Sequence, residues 1–171
     1  MHASAQFYMA LILVFMLVVA SAWDLRGHRI PNWLVLLGML VGLSLQTMIA
    51  GLQGLGQGLQ GTLVGFAIFL PLHIAGGMAA GDVKLMAMAG AFLDPFSAAL
   101  ASVCSLLFGS LGGLLIVIWR GQLGRFLGRY RLMLISRTYI APEQGDVAAQ
   151  AFPYALAVLC GTSTVLLVGG S

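Results

Sequence analysis

Two aspartates in an otherwise apolar chain carry the first chemical signal of this sequence. Asp24 follows the apolar run "FYMALILVFMLVVASAW", and Asp82 lies within "AAGDVKLMAMAG", flanked by glycine and apolar residues. An acidic side chain within a membrane-spanning segment is costly to bury, so it marks a functional site by default. For Asp24 alone, a role in capping a helix or contacting lipid headgroups stays open, and Asp82 is the stronger candidate.

The chemistry available to these carboxyl groups depends on their proximity. Two carboxyl groups held together in a poorly hydrated site do not both ionise readily, so one keeps its proton while the other loses it. Such a pair supplies an acid and a base, the arrangement with which aspartic proteases activate water against a peptide carbonyl. We expect no metal and no cofactor in this chemistry. Because the two carboxyl groups of a coupled pair titrate together, we do not assign the acid to one aspartate and the base to the other.

The composition places these aspartates in a membrane protein. Of the 171 residues, 60% are hydrophobic and 8% are charged, whereas a soluble domain has about a quarter charged residues. The first apolar run has no basic region before it and is followed by further apolar runs, so we interpret it as a retained transmembrane helix. Cys104 and Cys160 form no CxxC pair, and no structural zinc site is predicted.

The spacing of apolar runs predicts an all-α, polytopic membrane protein with about six transmembrane helices, forming a single domain over residues 1–171. A Gly/Gln-rich stretch, "GLQGLGQGLQG", separates the second helix from the third, and Asp94-Pro95 is predicted to end the fourth. The predicted helices cover about residues 7–23, 33–50, 59–75, 78–93, 96–119 and 147–168.

The distribution of basic residues predicts the orientation, because Lys and Arg prefer the cytoplasmic side of short loops. With both termini on the non-cytoplasmic side, all eight cations lie on the cytoplasmic face, and Asp24 and Asp82 lie there at similar depth. The cytoplasmic loop, residues 120–146, interleaves arginines with apolar residues, which suits contact with anionic inner-leaflet lipid rather than nucleic acid. These arginines are Arg120, Arg125, Arg129, Arg131 and Arg137.

Two motifs of this chain resemble those of the type IV prepilin peptidases, polytopic aspartic proteases of bacterial inner membranes. "DLRGHRIPN", residues 24–32, is similar to the family's first element, in which the catalytic aspartate precedes a basic loop ending in Ile-Pro-Asn. "GDVKL", residues 81–85, resembles the end of the family's Gly-x-Gly-Asp motif and the Val-Lys-Leu after it. Ala79 replaces the first glycine of that motif, a departure that concerns helix packing rather than chemistry. "FPYALAVLCG", from Phe152, is a weaker match to the family's last helix.

The resemblance implies that Asp24 and Asp82 are catalytic and that Gly81, Lys84, Pro31 and Asn32 support them. It also implies a substrate: the short basic leader of prepilins or pseudopilins, cut after a glycine at the cytoplasmic membrane face. Longer members carry a module with paired CxxC motifs and N-methyltransferase activity, which this sequence does not contain. The chain therefore resembles the short, peptidase-only class associated with tight-adherence (Flp-type) pili, and no methyltransferase activity is expected.

Several alternatives remain at this stage. Asn32 is as consistent with an N-cap of the second helix as with fixing the loop that carries Asp24. Lys84 is consistent with pairing to Asp82, with reaching the inner membrane surface, or with contacting anionic lipid. His73 is interpreted as a packing residue rather than a catalytic one. Two other functions are a small channel or proton-coupled transporter, with Asp24, Asp82 and Lys84 along a polar path, and a non-catalytic assembly subunit. We find no inverted repeat of the kind that favours a transporter.

Overall fold

The structure is a computed structural model that describes residues 2–27, 30–121 and 154–169, and every regular element within these ranges is a helix. Within these ranges, three segments are long and apolar enough to cross a membrane, Ala5–Gly27, Asn32–Ile74 and Pro95–Trp119. The prediction of an all-α membrane protein is confirmed for the described residues, as helices with three candidate spans. The described helices are α1 (His2–Gly27), α2 (Asn32–Ile74), α3 (Ala80–Gly90), α4 (Pro95–Trp119) and α5 (Tyr154–Gly169).

The chain divides into two compact units. One unit, residues 1–109 and 153–171, contains α1, α2, α3, α5 and the first part of α4. The other, residues 110–152, is described only as far as Gly121, through the last turns of α4 and an exposed Arg120. Most of the predicted cytoplasmic loop, including Arg125, Arg129, Arg131 and Arg137, therefore lies outside the described residues, as do residues 147–153 of the predicted sixth helix.

Helix α2 consists of two arms that fold back on each other. The helical geometry breaks at Ala50 and Gly51, and Gly51 has a φ of 60°, a left-handed conformation that glycine adopts without steric cost. Each arm has about 20 residues and is about 30 Å long, the thickness of a bilayer core. A β-carbon at Gly54 would collide with the Gln46 carbonyl of the other arm, which shows how closely the arms approach.

The predicted divider over residues 51–61 is therefore too long. The helix resumes directly after Gly51, and the remaining glycines of this segment are helical. Their role is close packing rather than a turn: a β-carbon at Gly58 would lie 3.0 Å from the Leu43 side chain of the first arm and 2.9 Å from the Ala91 carbonyl oxygen. A sequence rich in glycine is consistent both with a turn and with a close helix approach, and of the glycines in this stretch Gly51 alone forms part of the turn.

Helix α3 lies at the centre of its unit and contacts α1, α2 and α5. Apart from Lys84, every residue from Asp82 to Gly90 is buried. Both arms of α2 pack against it, with Gly38 facing Met88 on one arm and Gly61 facing the backbone of Gly90 on the other.

The predicted fourth helix, residues 78–93, is wrong in its length. With 11 residues, α3 is about 16 Å long, roughly half of a bilayer core. After Gly90 the chain forms tight turns over residues 91–93, and Asp94 then caps α4 through its side chain, which accepts hydrogen bonds from the backbone N–H groups of Phe96 (3.0 Å) and Ser97 (3.1 Å). Asp94-Pro95 thus begins a helix instead of ending one, with proline at the first helical position.

Candidate active site

Helix α1 directs Asp24 toward the core. Leu13, Leu17, Ala20 and Asp24 are all buried, and their spacing of three or four residues places them on one face of the helix. The helix continues to Gly27, beyond the predicted end at residue 23, so Asp24 lies within its last turns rather than after them. The Asp24 side chain is only 6% exposed. The apolar periodicity that packs α1 therefore also buries its carboxyl group.

Asp82 occupies the first turn of α3, three residues after the N-cap Ala79. It is also 6% exposed, and the free backbone N–H groups of a first turn favour a carboxyl group there. Ala79 itself is exposed, with an extended backbone (φ −75°, ψ 149°) that any residue adopts. The alanine that departs from the family motif is therefore accommodated without strain.

The structure brings the two predicted aspartates into one buried site. Helices α1 and α3 pack against each other, and the carboxyl groups of Asp24 and Asp82 lie close enough to interact electrostatically. A pair of buried carboxyl groups at such proximity can share one proton, which gives an acid and a base side by side. This arrangement is suited to activating a water molecule.

The start of α5 completes the site, and the sequence-based prediction did not include it. The backbone N–H of Ala155 donates a hydrogen bond to Oδ2 of Asp24 at 3.2 Å, across 131 positions of sequence. The N-terminus of a helix carries partial positive charge, so it favours a carboxylate at this place. The weak "FPYALAVLCG" similarity was the only signal for this segment, and it gave no indication of a contact with Asp24.

Tyr154 is the first residue of α5 and packs against α2 and α4. Its side chain and that of Asp82 are near enough to interact electrostatically, and the Tyr154 hydroxyl donates a hydrogen bond to the Ser105 carbonyl at 3.1 Å. The ring contacts Phe69 edge to face, with 5.9 Å between centroids, and a β-carbon at Gly109 would collide with it. Helices α2 and α4 thus hold the tyrosine ring in place, within electrostatic reach of Asp82.

Of the predicted supporting residues, Lys84 and Asn32 contact each other. Lys84 Nζ donates to the side-chain oxygen of Asn32 at 3.1 Å, joining the beginnings of α3 and α2 at an exposed position. Pro31, not Asn32, is the N-cap of α2, so the capping alternative for Asn32 is wrong. Within the described residues Lys84 forms no ion pair with Asp82, since side chains two positions apart on a helix do not face each other.

Gly81 is loosely packed, and His73 bonds a backbone carbonyl. A β-carbon at Gly81 would meet the Ile30 side chain at 3.7 Å, an ordinary van der Waals distance, so close packing does not require a glycine there. His73 Nδ1 donates a hydrogen bond to the Met78 carbonyl at 2.9 Å and closes the turn between α2 and α3. The interpretation of His73 as a packing residue agrees with this contact.

Comparison with known proteins places the chain in a family. The model of the type IV leader peptidase family matches residues 11–118, a segment that includes both Asp24 and Asp82. The chain belongs to the type IV leader peptidase family. The matched segment ends before α5, so Tyr154 and Ala155 lie outside the part of the chain that defines the leader peptidase match.

Two curated leader peptidases are similar to this chain. The prepilin leader peptidase/N-methyltransferase of Bacillus subtilis (strain 168) is 31% identical over 118 residues, which cover 67% of this chain and 47% of the relative. The protein of the same description from Myxococcus xanthus (strain DK1622) is 30% identical over 122 residues, covering 67% of this chain and 36% of the relative. The chain thus spans less than half the length of these leader peptidases. No solved structure matches the chain.

Proposed function

We propose that this chain is a membrane aspartic endopeptidase that removes the short basic leader of type IV prepilins or pseudopilins. The observation that carries the proposal is the pair of buried carboxyl groups of Asp24 and Asp82, in a chain of the type IV leader peptidase family. The two similar relatives are described as prepilin leader peptidases.

In the proposed mechanism the two aspartates act on one water molecule. The ionised carboxylate takes a proton from the water as its oxygen bonds to the carbonyl carbon of the scissile peptide. The protonated carboxyl group then gives its proton to the amine leaving group as the carbon–nitrogen bond breaks. One product ends in a new carboxyl group and the other begins with a free amine, and the dyad regains one shared proton.

Supporting residues act in this proposal by positioning the aspartates. The hydrogen bond between Lys84 and Asn32 ties the start of α3, which carries Asp82, to the start of α2. Pro31 occupies the N-cap position of α2 directly before Asn32, and its ring fixes the backbone φ (−66°) at the entry to that helix. Gly81 precedes Asp82 at a half-buried position beside Ile30.

The finer features of the proposal are Flp-type prepilins as substrates, six membrane spans with both termini on the non-cytoplasmic side, and an active site that faces the cytoplasm. The arrangement of Lys and Arg along the sequence supports the orientation, because all eight fall on one face if both termini are non-cytoplasmic, and basic residues prefer the cytoplasmic side of short loops. Arg120 and the four arginines after it would hold the following segment on anionic lipid.

The experiment that tests the proposal is co-expression with short-leader Flp-type prepilins, followed by gel shift and N-terminal sequencing of the pilin. Wild type, Asp24→Asn and Asp82→Asn are compared at matched membrane levels, with Asp94→Asn as the matched control. Asp94 is an aspartate of the same unit that caps α4 outside the site, and asparagine is an equally good cap. We expect cleavage after glycine by wild type and Asp94→Asn, and a loss of about 10³-fold or more in either dyad variant.

Two results would contradict the proposal. Cleavage that survives Asp24→Asn or Asp82→Asn would remove that aspartate from the chemistry. Failure of folded wild type to cleave any prepilin would favour a transporter, or an assembly subunit whose acidic residues pair with partner helices. In the latter case the asparagine variants should lose assembly rather than turnover.

A further inference from the structure

A backbone N–H at the start of α5 contacts the carboxyl pair. The N–H of Ala155 donates to Oδ2 of Asp24 at 3.2 Å, and Ala155 is fully buried while Asp24 is 6% exposed. Ala155 is the second residue of α5, and the first N–H groups of a helix have no carbonyl acceptor in their own helix. Asp24 therefore supplies the acceptor that this buried N–H requires, and the N–H in turn holds one oxygen of Asp24.

This hydrogen bond restricts the direction of the Asp24 carboxyl group. The terminal torsion of an aspartate side chain is broad, so the carboxyl group of a free aspartate turns easily. A donor on Oδ2 limits that rotation and thereby also directs Oδ1, which accepts no hydrogen bond within the described residues. A group that acts on a bound water must keep its direction, because a small misplacement lowers the rate steeply.

Helix α5 is held against α4 at two glycines, one on each helix. A β-carbon at Gly109 of α4 would collide with the Tyr154 ring, and a β-carbon at Gly161 of α5 would collide with the backbone of Ser105. Tyr154 and Gly161 lie about two turns apart on α5, or roughly 10 Å along its axis. Two close contacts at this spacing restrict both sliding and rotation of α5, because packed interiors leave little room for displacement.

The Tyr154 side chain is held from further sides. Its hydroxyl donates to the Ser105 carbonyl at 3.1 Å, and its ring meets Phe69 of α2 edge to face. The N–H of Ala155 belongs to the peptide group that joins it to Tyr154. The contacts that hold the tyrosine ring therefore also determine where the donor to Asp24 lies.

We propose that the Ala155 N–H orients the Asp24 carboxyl group for catalysis, and that the close fit of the Tyr154 ring at Gly109 sets the position of this N–H. Ala155, Tyr154 and Gly109 are positioning residues, since they act through Asp24. The proposal rests on the proposed peptidase function, and it makes α5, which lies outside the matched residues 11–118, a part of the active site.

The first test observes the hydrogen bond itself and does not depend on turnover. Tyr154-Ala155 is the one Tyr-Ala pair of the sequence, so ¹³C-carbonyl tyrosine with ¹⁵N-alanine gives a single doubly labelled amide for NMR in detergent. Asp24→Ala should speed exchange of this amide with deuterated water about ten-fold, as suits the loss of one hydrogen bond. Asp94→Ala removes a carboxyl group elsewhere and should leave the rate unchanged. Equal exchange in wild type and Asp24→Ala would overturn the proposal.

The second test removes the N–H and leaves the side chain as it is. Lactic acid incorporated at position 155 replaces the N–H by an ester oxygen. For prepilin cleavage per folded protein, kcat should fall about ten-fold while KM stays within about two-fold, because the N–H acts on Asp24 rather than on the substrate. The matched control is the hydroxy-acid analogue of leucine at position 156, whose N–H lies in the same turn and within the described residues does not bond Asp24.

The control ester should retain the kcat of wild type. Equal kcat in the two esters, or a change in KM alone, would overturn the role of Ala155 and leave the peptidase proposal standing.

The third test displaces the N–H from α4. In Gly109→Ala the new methyl group collides with the Tyr154 ring, so kcat should fall about ten-fold with little change in KM. Gly113→Ala, one turn further along α4, adds a methyl group that meets no described atom within 4 Å and should retain activity. Tyr154→Leu lacks the ring atoms that collide, so it should restore most of the lost kcat when combined with Gly109→Ala.

Two results would contradict the role of Gly109. Unchanged kcat in Gly109→Ala would show that the fit of the ring does not set the N–H, and a loss that Tyr154→Leu does not restore would place the cause elsewhere in α4. If folded wild type cleaves no prepilin, the peptidase proposal fails, while the exchange measurement still decides whether Ala155 and Asp24 are joined.

Discussion

The two ends of α3 are held in different ways. At its C-terminal end the helix meets α2 backbone to backbone. A β-carbon at Gly61 or at Gly90 would collide with the main chain of the facing segment. At its N-terminal end it meets its neighbours through side chains, with Asp82 beside Asp24 and Lys84 bonded to Asn32. Contacts made by backbone atoms leave no freedom to adjust, while contacts made by side chains do.

This difference separates the part of the helix that fixes position from the part that performs chemistry. Tight packing at Gly61 and Gly65 anchors α3, so Asp82 is presented from a rigid element although α3 is too short to span a membrane alone. Functional carboxyl groups need such support, because a small displacement of either one disrupts the pair. The comparison predicts that substitutions at the C-terminal end will cost folding, and that those at the N-terminal end will change function or have little effect.

The largest effect on stability is expected for Gly61→Ala. The new β-carbon would overlap the carbonyl oxygens of Gly90 and Leu93, and backbone atoms cannot move aside as a side chain would. We expect a loss of about 3 kcal/mol in the free energy of unfolding, measured by SDS titration in mixed micelles. The matched control is Gly56→Ala in the same arm of α2, where a β-carbon would meet no atom within 4 Å. Equal loss in both variants would show that helix packing against α3 is not the cause.

A smaller effect is expected at Asp94, beyond the C-terminal end of α3. Asp94→Ala removes the side-chain cap of α4 and should lower the free energy of unfolding by about 1 kcal/mol, while Asp94→Ser keeps a cap and should lose less. Burial acts to raise the pKa of Asp94, but hydrogen bonds from Ser97 and Phe96 outweigh it and hold the pKa below its ordinary value.

The sign of the pH dependence follows from that lowered pKa. A carboxyl group with a depressed pKa in the folded state contributes stability above its unfolded pKa, and the contribution disappears as the pH falls through the folded value. The difference between wild type and Asp94→Ala should therefore be constant near neutral pH and shrink below about pH 4. A difference that grows on acidification would contradict the assignment of Asp94 as an ionised cap.

The sequence predicted the helical class, and it singled out two aspartates that the structure buries in one place, because both depend on local signals. The apolar runs placed α4 within one residue of its observed start, and the buried stripe of α1 ends at Asp24. The length of α3 and the donor at Ala155 were missed for a physical reason. An apolar stretch does not show where a helix gives way to tight turns, and a backbone N–H leaves no trace in residue identity.

At the N-terminal end, the contact between Lys84 and Asn32 should have a modest effect. A double-mutant cycle of Lys84→Met and Asn32→Leu isolates the interaction, which we expect to be about 0.5 kcal/mol because the contact is exposed. If the contact positions Asp82, prepilin cleavage should show the same non-additivity as unfolding. Additive losses of stability and of activity would mean that the two side chains act independently.

Gly81→Ala should have the smallest effect, although Gly81 directly precedes Asp82 in the family motif. The new methyl group would touch Ile30 at 3.7 Å without overlap, and no positive φ holds the glycine there. Alanine is also the better helix former, but Gly81 lies in the first turn, so the free energy of unfolding should change by less than about 0.5 kcal/mol, in the stabilising direction. Cleavage by this variant should stay within a few-fold of wild type. A folded Gly81→Ala protein without activity would show instead that the substrate backbone passes over Gly81, and that the N-terminal end of α3 is as closely fitted in the complex as its C-terminal end is in the free protein.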